Sequence, residues 1–361
     1  MKRKTLLLIL TCAVFGSLAW AFAAADEDDP LASLSYLTGA FTDQVMGEVD
    51  KRLDRSDEAL AEQISADGSA LVGTAATWTE WCMKEGDALL GRIGTGILPL
   101  AGSVTVHYDS GAVVDVITAE VIPSGGTLSL RHRYLAAEDT AAVFAAASPT
   151  AVVNYQGPYD IRLSDTPDHY AMARALREMH MFRGNNTGYG DGFDLESSTT
   201  RIQALIMFIR VLGEEEQALA WDGSMPFGDV ADWARPYVGY AYEMGYTNGT
   251  GPAQFSPDMA ATASQYTEFV LRAMGYSSTA NTDLSDTLLR AREAGVLTRG
   301  EVETLDTIPA FLRAHLVYIS YYALQAELPD GTTLTKRLQN QGVFTAAEWK
   351  SACALVTTER L

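Results

Sequence analysis

TTRIQALIMFIRVLG, residues 199–213, and ATASQYTEFVLRAMG, residues 261–275, align without a gap, and Phe193 and Phe255 each stand seven residues before Thr200 and Thr262. FLRAHLVYISYYALQ, residues 311–325, follows fifty residues after the second stretch as a third copy. Position by position, Ala204, Met207, Phe208, Val211 and Leu212 match Tyr266, Phe269, Val270, Ala273 and Met274, then Leu316, Ile319, Ser320, Ala323 and Leu324. That spacing is the one a helix uses to bury a single face. Self-similarity at a period of this size marks a unit that stacks on copies of itself.

Working outward, each copy carries another helical stretch upstream, around Glu178, Glu243 and Glu293. Each unit therefore reads as helix, loop, helix. The loops are rich in glycine, as in YTNGTGPAQFSPD between Tyr246 and Asp258. Thr200 with Gln203, and Thr262 with Gln265, have capping-box spacing, in which side chains at the helix start satisfy free amides reciprocally. The third copy lacks that pair. Its second helix is expected to begin earlier, near Thr307, with Pro309 in the first turn, where the missing N–H costs no hydrogen bond.

The second copy runs FGDVADWARPYVGYAYEMGYTNGTGPAQFSPDMAATASQY. Its aromatic-x-Asp-Val start, Trp-Ala pair, Gly-x-x-x-Gly turn and Phe-x-Pro-Asp segment resemble the S-layer homology (SLH) repeat of proteins held on bacterial cell walls. The resemblance covers roughly residues 165–330. It implies a pseudo-threefold bundle with grooves between neighbouring repeats, and an anionic secondary wall polysaccharide, often bearing pyruvate ketals, as ligand. The family's Thr-Arg-Ala-Glu motif places an arginine against that ligand. Here the motif reads Thr200-Arg201-Ile202-Gln203, Thr262-Ala263-Ser264-Gln265 and Leu312-Arg313-Ala314-His315. Two grooves at most are thus expected to be competent, since Ala263 has no charge. By the same resemblance Thr200, Asp229, Trp233, Gly245 and Gly249 join Arg201 and Arg313 as glycan-site candidates.

The residues support such a site on physical grounds as well. A helix N-terminus offers unpaired amides and partial positive charge, and an arginine in its first turn adds a fork for a carboxylate. Against this stand plainer roles: a surface ion pair for each arginine, and a core plug for Trp233.

The expected fold class is α+β and multidomain. An N-terminal helix over 26–68 precedes a small antiparallel all-β domain over 69–160, and a C-terminal all-α bundle follows. The bundle comprises three SLH-like helix-loop-helix repeats, at 165–222, 223–278 and 279–335, then a helical segment over 336–361. The β assignment rests on alternation such as Ser103, Val104, Thr105, Val106 and on turns such as Ser124, Gly125, Gly126, and it leaves a sandwich or a roll open. In the N-terminal helix Leu37, Phe41, Val45, Val49 and Leu53 form a stripe that packs on the next domain or self-associates.

Lys2, Arg3 and Lys4, the apolar run from Leu6 to Phe22 and the small residues Ala23 to Ala25 read as a secretory signal over 1–25. Cys12 is a poor lipidation site, with Thr11 before it and the apolar run continuing beyond. No later stretch reaches the roughly 20 apolar residues that span a bilayer, so a secreted protein of the cell wall or cell surface is expected, not a membrane-spanning one. Residues 1–25 hold three of the 26 basic residues and none of the 46 acids, so their removal moves the formal charge from −20 to −23. Nucleic acid is excluded as a partner, because its binding needs a cationic face.

Little else suggests chemistry. His107, His132, His169, His180 and His315 have no metal-ligand spacing, and Cys82 and Cys353 form no paired motif. Phosphate-binding loops and the Gly-x-Ser-x-Gly elbow are absent. Asn185, Thr187, Gly190 and Glu196 echo a calcium loop without its first carboxylates. Trp78, Trp81 and Tyr134 could offer the β domain a sugar site, but aromatics in small β folds mainly fill cores. Acid pairs such as Asp109 and Asp115 are too common in this chain to indicate a glycosidase. The expectation is a non-catalytic anchor without cofactor or metal. A wall hydrolase with its active site in the β domain and a self-assembling surface-layer subunit are the alternatives.

Overall fold

The computed structural model describes residues 73–277 and 283–361. The expected signal sequence and the helical segment over 26–68 lie outside the described residues. The described residues belong to one compact unit.

Among the described residues nine strands come first: β1 Gly73–Lys84, β2 Ala88–Gly91, β3 Gly96–Ala101, β4 Val104–His107, β5 Ala112–Asp115, β6 Val121–Ile122, β7 Tyr134–Ala137, β8 Ala142–Ala146 and β9 Thr150–Arg162. They form one antiparallel sheet in the order β4-β8-β2-β9-β3-β7-β5-β6, with β1 paired to β9. Alternation decides which side chains turn inward: Val104 and Val106 on β4, Phe144 on β8 and Tyr134 on β7 are buried together with Leu89, Ile97 and Val153. The long β9 passes from β3 to β2 near Gly157, whose φ is 98° and where a Cβ would lie 2.7 Å from the Gly94 carbonyl oxygen. The sheet curls back on itself. Gly125 and Leu128, beyond β6 at one end, donate to Val106 and Val104 of β4 at the other, at 2.7 and 2.8 Å. Of the two open architectures the roll is thus the one formed.

Among the described residues ten α-helices follow: α1 His169–Glu178, α2 Arg201–Val211, α3 Glu215–Leu219, α4 Arg235–Glu243, α5 Ala263–Met274, α6 Thr287–Glu293, α7 Arg299–Thr307, α8 Arg313–Ala323, α9 Leu334–Asn340 and α10 Ala346–Leu355. None of the described helices is long and apolar enough to cross a membrane. The three aligned stretches are α2, α5 and α8, and of their fifteen matched positions only Ala273 is less than buried. These helices meet at the centre, where Phe208 lies 5.8 Å from Phe269 and Tyr266 shares a 2.6 Å hydroxyl contact with Ser320. Around them α4 packs on α2, α6 on α5 and α1 on α8.

Both capping boxes form. Thr200 accepts from the Gln203 amide at 3.5 Å and donates its own N–H to Gln203 Oε1 at 3.1 Å; Thr262 and Gln265 do the same at 3.2 and 3.3 Å. At the third start Leu312 has no acceptor, but its N–H donates to His315 Nδ1 at 3.0 Å. The expected early start of that helix is wrong. Thr307 ends α7, Ile308 is extended at ψ 136°, and α8 begins only at Arg313. The reason is steric: the ring of Pro309 pushes the residue before it out of the α region.

The sheet and the helices share packing. Ala101 and Val152 belong to the helical core, and buried Asp87 accepts from Lys84 Nζ at 2.6 Å and from the Ser164 amide at 2.8 Å, which fixes the exit from β9. Beyond α10, Arg360 grips the fully buried Glu301 through two hydrogen bonds, of 2.5 and 2.8 Å.

Candidate ligand-binding groove

Arg201 occupies the first position of α2 and is only 4% exposed. Its Nε donates to the Phe255 carbonyl at 3.0 Å, and a terminal nitrogen donates to Thr247 Oγ1 at 3.3 Å. The guanidinium also lies over the Phe255 and Phe269 rings, 4.9 and 5.3 Å from their centroids. Two of its five donors are thereby used. Among the described residues no carboxylate forms an ion pair with it. Burial first, then the neighbouring Arg272 cation, push its pKa down to about 10.

Beside Arg201 opens a cleft of about 480 Å³, walled by the turn Asn248–Pro252 and by Gln265, Glu268, Phe269 and Arg272 of α5. Two sequence-named residues build that wall without themselves offering chemistry. Gly249 has φ 77°, and a Cβ there would run into the Gln254 carbonyl and the Phe227 ring. Asp229 accepts from the Phe255 and Ser256 amides at 2.9 and 2.8 Å, which sets the carbonyl that Arg201 holds. Partial burial opposes ionisation of Asp229, but these two amides outweigh it and keep its carboxyl below the usual range. Gly245 supplies a left-handed turn, φ 74°, just after α4. Thr200 is committed to its cap. Trp233 is not a core plug: it is 64% exposed, in the turn before α4, and does not line the cleft.

Arg313 repeats the arrangement. It is as buried as Arg201, its Nε donates to the Phe193 carbonyl at 3.1 Å, and its guanidinium faces the Phe182 ring at 5.5 Å. Neither arginine is therefore the surface ion pair that stood as the plainer alternative. The backbone contacts also correspond. Arg201 and Ile202 donate to Met259 and Pro257; Arg313 and Ala314 donate to Ser197 and Leu195, the residues at matching positions in the first copy. These bonds correct one expectation: the amides at both helix starts are already taken by a neighbouring loop, so any anion must be met by the side chain.

The three helix starts differ in charge. Burial lowers the Arg313 pKa, but Asp194 opposes the shift from nearby. At Ala263 a cleft of about 360 Å³ is lined by Leu288, Ile308 and Phe311, with Asp306 at its wall and no cation. Arg272 itself was missed by sequence reasoning, although Arg210 and Arg272 occupy matching positions and Tyr322 replaces them in the third copy.

The remaining candidates do not assemble. Among the described residues no three His, Cys, Asp or Glu side chains are placed to hold a metal. In the calcium-like loop Asn185 donates to Asp194, the Gly190 amide to Glu80, and Glu196 accepts from Tyr170. Asp115 accepts from His132 at 2.6 Å. Tyr134 is core, Trp78 lies under Arg133, and Cys82 and Cys353 are unpaired thiols.

No family model matches the chain. Over 117 residues it is 32% identical to a protein named "Cell surface protein" from Thermoanaerobacter kivui. It is similar to a cell-surface protein. That similarity covers 31% of this chain and 15% of the relative, so the chain matches only a small part of that protein's length.

Proposed function

We propose that this is an exported, non-catalytic protein of the cell surface that attaches to an anionic secondary wall polysaccharide through three SLH-like repeats. In this reading α1–α2, α4–α5 and α6–α8 are the repeats of a pseudo-threefold bundle, and the β unit is the part displayed. One observation carries it: Arg201 is buried beside an open cleft with no carboxylate paired to it among the described residues, in a chain of net charge −20. An uncompensated buried cation is costly, and acids are abundant in this chain, so the missing counterion fits an anionic ligand. Charge-assisted hydrogen bonds from the remaining guanidinium donors would hold a carboxylate. The matching backbone contacts of Arg313 support a second binding position, and the similarity to a cell-surface protein agrees with the location.

The test is co-sedimentation of the protein with wall sacculi before and after chemical removal of the secondary polymer. Binding should depend on the polymer, fall at least tenfold in Arg201→Gln, fall less in Arg313→Gln, and be unchanged in Ala263→Ser. Equal binding to stripped sacculi defeats the reading.

A further inference from the structure

Where the β1–β2 and β8–β9 turns meet α1, α7 and α8, a cavity of about 200 Å³ opens. Pro167, Leu305, His315 and Tyr318 on its wall are buried, whereas Glu85 and Thr304 are exposed and mark its mouth. His315 is only 7% exposed. The N–H of Leu312 donates to its Nδ1 at 3.0 Å, so Nδ1 is the acceptor and the ring proton sits on Nε2. Among the described residues Nε2–H has no acceptor. A buried donor left unmet is costly. The other polar groups of the wall are committed: Glu301 accepts from Arg360 and from the Tyr318 hydroxyl at 2.8 Å, and the Thr166 hydroxyl donates to the Glu85 carbonyl at 2.6 Å. No lysine or arginine lines the cavity, and burial above all keeps His169 and His315 uncharged, with pKa values of about 3 and about 4.

We propose that this cavity binds the acetamido group of an N-acetylated amino sugar, whose carbonyl oxygen accepts from His315 Nε2–H. The methyl group lies against Pro167, Leu305 and the Tyr318 ring, and the sugar ring stays at the mouth, where the Glu85 carboxylate accepts from its hydroxyls. The size fits: a cavity of about 150 Å³ already takes benzene, so this one holds the acetamido group and part of the ring that carries it. The chemistry also rejects the simpler occupants. An anion would enter a buried space with no cation to meet it. A buried water makes about three hydrogen bonds, and the inner wall offers one unmet donor among apolar side chains. This site is separate from the Arg201 cleft and stands independently of the polymer-binding reading above.

Saturation-transfer NMR on the intact chain tests this, with N-acetylglucosamine and glucose as probes at pH 7.5. Transfer should be strongest at the acetamido methyl protons, and glucose should bind at least tenfold more weakly. His315→Glu keeps an acceptor for the Leu312 amide, as Gln203 and Gln265 do at the matching positions, and puts an acceptor where the donor was. It should weaken N-acetylglucosamine at least tenfold. Thr304→Trp fills the mouth from an exposed position and should abolish the methyl signal, so it decides the matter if His315→Glu folds poorly. Arg201→Gln should leave the signal unchanged. A wild type without methyl transfer, glucose bound equally well, or a signal that survives Thr304→Trp overturns the site. A signal lost in Arg201→Gln but kept in Thr304→Trp puts the sugar in the Arg201 cleft, which overturns this inference and leaves the polymer-binding reading standing.

Discussion

Gly249 shows how a residue with no side chain shapes a binding wall. Its φ of 77° is strained for any other residue, and the space a Cβ needs is filled by the Gln254 carbonyl and the Phe227 ring. Gly249→Ala should therefore cost about 2–4 kcal/mol, combining a left-handed penalty with a clash against backbone that cannot yield. Urea denaturation followed by circular dichroism measures it, and a loss under 1 kcal/mol would mean that the turn relaxes. Both Gly249 and Arg201 were marked through the resemblance to SLH repeats, Gly249 by its Gly-x-x-x-Gly turn and Arg201 by the motif at the aligned helix starts. What surrounds them was not. The carbonyl that holds Arg201 comes from Phe255, 54 residues away, and no local pattern predicts that a cation in an amphipathic helix will be covered by another repeat's loop. Glu268 and Arg272 were hidden for a related reason: on one helix they look like an ordinary i,i+4 surface pair, and only the fold buries them.

At the scale of elements, local chemistry decided where helices begin. Thr200 and Thr262 were recognisable as caps because a hydroxyl and a glutamine three residues on satisfy amides within a single turn. Each bond is formed in the fold, so Thr200→Ala and Thr262→Ala should each destabilise by about 1 kcal/mol. A chemical-denaturation midpoint reads that directly, and an unchanged midpoint in both would show that water replaces the hydroxyl at no cost. The third start was misread because two rules about proline compete. Proline is welcome in a first turn, yet it also forbids helix to the residue before it, and in Thr307-Ile308-Pro309 the second rule wins because α7 already ends there. The strands were easier. Alternation identified β4 directly, whereas closure of the roll depends on hydrogen bonds between segments about twenty residues apart at opposite ends of the sheet.

At the scale of the whole molecule, the seam between the sheet and the helices holds a feature that composition could not reveal. His169 at the start of α1 and His315 in the first turn of α8 lie 6.4 Å apart, ring to ring, beside a cavity of about 200 Å³ that Pro149, Pro167 and Tyr318 also line. Burial, with repulsion from His315, pushes the His169 pKa down to about 3, and burial pushes that of His315 down to about 4. Both imidazoles are thus neutral in the folded chain at pH 6, while an unfolded chain, with histidine pKa near 6.5, takes up protons. Stability from this pair is complete above about pH 6.5 and is lost as pH falls from there towards 4. The greatest slope is about 1.4 kcal/mol per pH unit for each histidine. Glu85 and Glu301 also line the cavity, but Glu301 is held by Arg360, and carboxylates such as Asp229, kept below their usual range, weaken the fold only at lower pH. Unfolding free energies measured between pH 7 and pH 4.5 should therefore fall steeply, and His169→Gln, which cannot titrate, should roughly halve the slope. A slope unchanged by that substitution would place the acid sensitivity elsewhere in the molecule.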